Sequence, residues 1–548
     1  MLTGRMMDFP LTLTHFLERA RSYYAAQEIV SRRPDKSLHR YTYADFHRRV
    51  CQLANALTRL GVKPGDRVAS LSWNHHQHLE VYFGVPSMGA VMHTLNLRLH
   101  PNDLGYIANH AEDTVVVVDR SLLPLVEKFE KAAGSIKHVI VIPDDGPVPE
   151  GRLDYEKLLA AESPTFEFPR LDENSAAMLC YTSGTTGNPK GVLFSHRSIV
   201  LHTLVCCMPE VLGLRESDTV LAVVPMFHAA AWGLPFDALL TGAKQVLPGP
   251  HLDPQSLLEL MQNEKVTVAG GVPTIWLGIL AQLDREPGKW DLSRMRHMVI
   301  GGSAAPPALI DGFRKRHGQN VLHAWGMTEM NPVGTLARLK GDLHTASPET
   351  QLDAYASQGY SVPFVETRHV SDTGEILPWD GKAMGELEVR GPMVAASYYG
   401  DEGKDRFTKD GWFKTGDVVT IDPAGYLHIT DRSKDVIKSG GEWISSVALE
   451  NALMAHPSVL EAAVFAGQHP KWDERPLAAV VFKSGQEATK AELTAHLEKQ
   501  FAKWWLPDDI LFVAQIPRTS TGKFLKMKLR EDYGDHLIKD SSTTPHRT

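Results

Sequence analysis

The sequence predicts an α/β fold: a large N-terminal domain of α/β layers with a β-rich subdomain, followed by a small α+β domain. Three observations predict it. The chain has 548 residues, more than one hydrophobic core organises, so at least two domains are expected. From about residue 45 to about residue 330, short apolar runs alternate with amphipathic helical patterns, as buried strands between helices do. From about residue 360 the pattern changes to short alternating strands punctuated by Gly and Asp, and a further unit starts after Asp431.

In chain order, the strands expected in the first region are Thr114–Asp119, His138–Ile142, Ala177–Tyr181, Val220–Pro225, Val266–Ala269, His297–Ile300 and Val321–Trp325, with a helix over Pro306–Arg316. The uncharged run Val266–Leu283 is long enough to raise a membrane span. Gly270-Gly271-Val272-Pro273 interrupts it and predicts a buried strand, a turn and a helix beginning near Pro273. The β-rich subdomain, about 345–430, is read from Gly385–Arg390 and Gly425–Ile429. The last unit carries helices at Val447–His456 and Lys490–Phe501 and strands at Glu461–Phe465 and Leu477–Phe482. These readings divide the chain into 1–432 and 433–548, with Ser541–Thr548 expected to be disordered.

Composition narrows the function. A net charge of −8 argues against a nucleic-acid or anionic-membrane surface. Cys51, Cys180, Cys206 and Cys207 lack metal-ligand spacing and predict reduced thiols in a cytoplasmic protein. The start of the chain lacks the apolar stretch of a secretory signal. His75, His76 and His78 lack the i, i+4 spacing of a helical metal site, so structural roles are expected.

The strongest motif is Tyr181-Thr182-Ser183-Gly184-Thr185-Thr186-Gly187-Asn188-Pro189-Lys190-Gly191. Glycines free the backbone to wrap an anion, and hydroxyls and a lysine supply donors. It reads as a loop between a strand and a helix starting near Ser195, and it is not a Walker A loop, since no Gly-Lys-Ser/Thr closes it. Further along come Gly301-Gly302-Ser303-Ala304-Ala305, Trp325-Gly326-Met327-Thr328-Glu329, Lys414-Thr415-Gly416-Asp417, Asp431-Arg432-Ser433-Lys434 and Thr521-Gly522-Lys523.

These segments, in this order, resemble the signatures of the acyl-adenylate-forming enzymes, over roughly residues 10 to 535. The resemblance is to the acyl-CoA synthetases among them: medium- and long-chain fatty acyl-CoA synthetases and 3-methylmercaptopropionate-CoA ligases. It implies a carboxylic acid activated by ATP as acyl-AMP and transferred to coenzyme A, with Mg²⁺ as cofactor. In that reading Thr182, Ser183, Gly184, Thr185, Thr186 and Lys190 hold phosphates, and Thr185 and Glu329 hold the metal. Gly302, Ser303, Ala304, Trp325, Gly326, Met327 and Thr328 meet adenine and α-phosphate. Asp417 and Arg432 hold the ribose, and Lys434 is the pivot of a hinged C-terminal domain. Lys438, Gly440, Gly441 and Trp443 lie toward the CoA path, where Gly440-Gly441 permits close approach of a pantetheine arm. Lys523, Thr328, Glu329 and His228 form the catalytic set. His228, Trp232, Val272, Trp276, Gly302, Trp325 and Met330 line the acyl pocket. No Lys or Arg lies near that lining in sequence, so an uncharged tail is expected, and three bulky tryptophans favour a short one such as 3-methylmercaptopropionate.

A long-chain fatty acyl-CoA synthetase is the alternative within the class, and a luciferase-like or non-catalytic nucleotide-binding protein the alternative outside it. The partners implied are the acid, ATP and CoA, in a homodimer with no nucleic acid and no membrane span.

Overall fold

The computed structural model describes residues 2–182, 188–439, 442–518 and 524–541. Among them the strands form four sheets. In the first, the order is Leu153–Asp154, His138–Ile142, Asp113–Asp119, Arg67–Leu71, Val91–Thr94, Ala176–Tyr181 and Gly191–Ser195. All neighbours run parallel except the last two. The chain passes from Arg67–Leu71 to Val91–Thr94 on one side and then returns to Asp113–Asp119 on the other. The carboxyl end of Arg67–Leu71 is therefore a topological switch point.

The second sheet has nine strands. Val321–Gly326, His297–Ile300, Val268–Gly271, Thr219–Ala222, Lys244–Leu247 and Glu28–Arg32 form its parallel centre, with antiparallel strands at both edges. The uncharged run resolves as expected into the strand Val268–Gly271 and the helix Pro273–Arg285. No described helix is long and apolar enough to cross a membrane.

A four-stranded antiparallel sheet follows: Glu366–Val370, Gly385–Arg390, Phe413–Ile421 and Leu427–Arg432. The strand expected at Gly425–Ile429 starts later, because Gly425 sits in a turn at φ 84°. The next strand, Ile437–Ser439, joins the fourth sheet, built around Val459–His469 and Asp473–Phe482. The chain thus changes sheets between Arg432 and Ile437.

The layers meet at apolar cores whose membership follows strand alternation. Val268 and Val299 belong to one core, and Ala269, Met298 and Ile300 to the core on the other face of the same sheet. That alternation decides where the pocket tryptophans lie.

Candidate active site

The two ends of the glycine-rich motif lie on paired antiparallel strands. Ala176–Tyr181 pairs antiparallel with Gly191–Ser195, and Tyr181 faces Gly191. This corrects the expected strand–loop–helix order: the helix His196–Cys206 does start at a Ser195 cap, but a strand precedes it. The strand was legible as alternation, with Val192 and Phe194 buried and Leu193 exposed. The Thr182 N–H donates to the Lys190 carbonyl at 2.9 Å, and the Lys190 N–H to Thr182 Oγ1 at 3.2 Å. Ser183, Gly184, Thr185 and Thr186 lie outside the described residues. This strand pair packs on a segment the sequence reading did not single out. A Cβ on Gly191 would stand 3.0 Å from Tyr399 Cβ, and one on Gly403 would stand 3.2 Å from Lys190 Cε.

The neighbouring Tyr398 completes the second signature. Its hydroxyl donates to Glu329 Oε1 at 2.5 Å, and the Ala395 N–H donates to the Glu329 carbonyl at 2.8 Å. Burial and the adjacent Glu329 carboxylate push the Tyr398 phenol well above its ordinary pKa. Thr328 and Glu329 are buried. Gly326 is required sterically, since a Cβ there would lie 1.9 Å from the Pro332 carbonyl oxygen. Trp325 donates its indole N–H to Asp417 Oδ2 at 2.9 Å, and Arg432 Nε meets Asp417 Oδ1 at 2.8 Å. Two residues from separate signatures thus converge on the buried carboxylate of a third.

The Gly301–Ala305 turn is anchored by a residue that carried no sequence signal. His323 Nε2 accepts from the Ala305 N–H at 3.3 Å, and its Nδ1 donates to the Ala356 carbonyl at 3.1 Å. Burial lowers its pKa to about 4, which keeps the imidazole neutral and able to accept. Ser303 and Ala304 are exposed beyond it.

Trp232 lies against this turn. A Cβ on Gly301 would stand 3.1 Å from its ring, and one on Gly302 3.6 Å from its ring and 3.3 Å from Val272 Cγ1. Ala229, Ala231 and Trp232 all adopt positive φ, at 36°, 52° and 57°, a conformation that costs L-residues roughly 1–2 kcal/mol each. Behind Trp232 is a small cavity with apolar walls, lined by Cys206, Leu212, Leu234, Val333 and Leu336 among others. Met330 and Trp325 meet over Gly334, whose Cβ would clash with both.

Trp276 is a correction. It is fully buried, donates to the carbonyls of Gly271 at 3.0 Å and Val299 at 3.1 Å, and packs edge-on against Phe313. Gly270 faces Trp232 and its neighbour Gly271 faces Trp276, so the two tryptophans lie on opposite faces of the sheet. Trp276 is a core residue and does not shorten the pocket. The absence of nearby cations also needs correcting: Arg98 stands 6.0 Å from the Phe227 ring centroid. Phe227 and His228 line a recess together with Thr94, Tyr181 and Thr182, so His228 faces the end of the strand Ala176–Tyr181.

Beyond Arg432, Lys434 is exposed, and Lys438 Nζ lies 3.8 Å from Asp372. Gly440, Gly441 and Lys523 lie outside the described residues, as does the Trp443 side chain, and Ser542–Thr548 do too. Lys526, three residues past the motif lysine, is buried: its Nζ meets Glu450 Oε1 at 2.7 Å and Ser446 Oγ at 2.6 Å. Ser446 in turn donates its N–H to Asp431 at 2.7 Å. Among the described residues no cluster of three His, Cys, Asp or Glu side chains is placed to hold a metal. His75 pairs with Asp119, and His78 bonds Ser70 and the Trp73 carbonyl, as structural roles require. The cysteines are unbridged.

Residues 16–399 match the AMP-binding enzyme family, and residues 448–523 match the AMP-binding enzyme C-terminal domain. The chain is 49% identical over 534 residues to a long-chain-fatty-acid–CoA ligase of Thermus thermophilus, covering 97% of each chain. It is 44% identical to a 3-methylmercaptopropionyl-CoA ligase of Ruegeria lacuscaerulensis, over 98% of this chain and 100% of that one. A medium-chain-fatty-acid–CoA ligase of Ectopseudomonas oleovorans is 43% identical over 99% and 100%. Among solved structures, ATP-bound MatB from Rhodopseudomonas palustris superposes with a TM-score of 0.84 at 27% identity, covering 96% of this chain and 100% of that one.

Proposed function

The chain belongs to the AMP-binding enzyme family and is an ATP-dependent acid–thiol ligase; on that premise we propose that its acid has an uncharged tail of short to medium length, such as 3-methylmercaptopropionate or a fatty acid of that size. One observation carries this reading: the Trp232 ring closes over Gly301 and Gly302, with Val272 beside it and a cavity of apolar walls behind. A charged tail would lose its hydration against the walls behind Trp232, none of which carries a charge. A second reading, a longer fatty acid, requires Trp232 itself to move aside, since the cavity behind it, about 10 Å³, holds no more than about one water. A coupled assay of AMP release across monocarboxylic acids of increasing length tests both. Activity is expected to rise and then fall with length, and preference for a dicarboxylate or an amino acid would overturn the proposal.

The chemistry follows from the electrophile. A carboxylate resists attack by a thiol because its leaving group is poor, so its oxygen first attacks the α-phosphorus of ATP and expels pyrophosphate. The thiol of CoA then attacks the acyl carbon, and AMP departs. In our assignment Thr182–Thr186 and Lys190 cradle the phosphates, Thr328 meets the α-phosphate and Trp325 flanks adenine beside Gly302–Ala304. Asp417 has two of its roughly four lone-pair sites engaged by Trp325 and Arg432, which leaves sites for ribose hydroxyls.

Glu329 suits Mg²⁺: a buried carboxylate whose Oε1 is fixed by Tyr398 offers hard oxygen ligation, and Thr185 is assigned as its companion. Bound there, the ion neutralises phosphate charge. His228, on the recess shared with Tyr181 and Thr182, orients the reacting carboxylate. Lys523 supplies positive charge as pyrophosphate leaves.

We assign domains 1–432 and 433–548, with Lys434 as the pivot and Lys438, Gly440, Gly441 and Trp443 along the CoA path. The unbridged cysteines support a cytoplasmic enzyme. Exposed Leu2, Met6, Met7 and Phe9 support a homodimer in which this apolar segment is covered.

A further inference from the structure

A second cavity lies at the carboxyl edge of both parallel sheets and shares no lining residue with the candidate active site. Its walls follow the ends of four strands. Trp73, His75 and His76 follow Arg67–Leu71, and Pro143 and Asp144 follow His138–Ile142. Arg32 and Arg33 come from the end of Glu28–Arg32, and Pro250 follows Lys244–Leu247. Its volume of about 420 Å³ is within the ~300–1,000 Å³ typical of small-molecule sites. It adjoins the switch point of the seven-stranded sheet, where open α/β sheets receive ligands. Next to the lining residues Trp73 and Pro250 the two sheets approach closely: Asn74 bridges to Gly249, and a Cβ on Gly249 would lie 2.3 Å from the Arg32 carbonyl oxygen.

The polar groups on the walls favour an anion. Arg49 is neutralised by Glu80 and Glu156, and Arg32 by Glu259. Arg33 forms no ion pair among the described residues; its guanidinium donates to His39 Nδ1 at 3.1 Å, which leaves most of its donors for a ligand. The helix His76–Ser87 starts at the cavity with no acidic residue in its first turn, though its His76 and His78 N–H groups are held by Ser31 Oγ and His75 Nδ1 and Asp119 pairs with His75 beside them. His39 and His76 stack at 3.9 Å, and Trp73 adds a further ring on the lining. The opposing charges on the lining are Asp144, whose two oxygens are both engaged by the Ser121 N–H and hydroxyl, and Glu156, whose oxygens are engaged by Arg49 and Gln77.

We propose that this cavity is a second ligand site, separate from the adenylating centre, that binds a small molecule through a carboxylate or phosphate group held by Arg33 at the N-terminus of the helix His76–Ser87. Carboxylate and phosphate are separated by the probe. Acetate and inorganic phosphate are titrated calorimetrically into the full chain saturated with a non-hydrolysable acyl-adenylate analogue and pyrophosphate, so that the adenylating centre is filled. The same titrations use Arg33→Glu and Arg33→Lys. Arg33 is exposed, and both variants are expected to melt with the wild type.

The expected result is saturable binding of at least one probe, weakened about tenfold or more by Arg33→Glu and largely kept by Arg33→Lys. Binding of phosphate alone assigns a phosphate ligand, and binding of acetate alone a carboxylate ligand. Absence of binding by both probes, or equal binding to wild type and Arg33→Glu, would overturn the proposal.

Discussion

The indole N–H of Trp325 and the guanidinium of Arg432 grip opposite oxygens of Asp417, at 2.9 Å and 2.8 Å. The side chain flanking the proposed adenine site therefore also sets the carboxylate proposed to hold the ribose. Trp325→Phe keeps a ring but deletes the donor. A hydrogen bond to a charged group contributes about 1.5–3 kcal/mol, so KM for ATP is expected to rise roughly tenfold or more while KM for the acid changes less. Initial-rate kinetics with each substrate varied checks this. Equal changes in both constants would separate Trp325 from nucleotide binding.

Trp232 divides the Gly301–Gly302 turn from the apolar cavity behind it. Trp232→Ala joins the two spaces. Each further methylene buried there is worth about 0.8 kcal/mol, or about fourfold in kcat/KM. The preferred acid is expected to lengthen by several carbons, whatever the loss in absolute rate. An unchanged chain-length optimum would show that the tail runs elsewhere.

Asp237 gives a pH signature away from the chemistry. It is fully buried, and among the described residues neither carboxyl oxygen finds a donor in good geometry, although Thr203 lies beside it. Burial raises its pKa well above 3.8. Above that ordinary value the unfolded chain has released the proton that the native state still holds, so native protein binds more protons and this group's contribution to stability falls as pH rises. Asp237→Asn removes the titration. Relative to the variant, wild type is expected to lose stability progressively as pH rises above the ordinary carboxylate range, measured as denaturant midpoints. Parallel profiles would mean that the carboxyl is ionised in the native state.

Most of the architecture was legible because it rests on local pattern. The run Val266–Leu283 declared its strand, turn and helix through Gly270-Gly271 and Pro273, and buried parallel strands such as His138–Ile142 stood out as apolar runs. What sequence left open was direction and distance. Trp232 and Trp276 look alike in sequence, yet the alternation of Gly270 and Gly271 sends them to opposite faces. Tyr398 reaches Glu329 across 69 positions, and His323 grips Ala305 from a different strand; neither carries a local signature. Arg98 escaped notice because it approaches Phe227 through the fold, from far away along the chain.

The central claim, adenylation followed by thioester formation with Lys523 serving the first step, is tested most directly by Lys523→Ala. Pyrophosphate release is measured beside thioester formation from synthetic acyl-AMP. Losing a preorganised cation at the α-phosphate is expected to cost about a hundredfold or more in pyrophosphate release, with the second step largely intact. Lys526 cannot take over, because its ammonium is buried against Glu450 and Ser446. Wild-type pyrophosphate release, or equal collapse of both steps, would contradict the account.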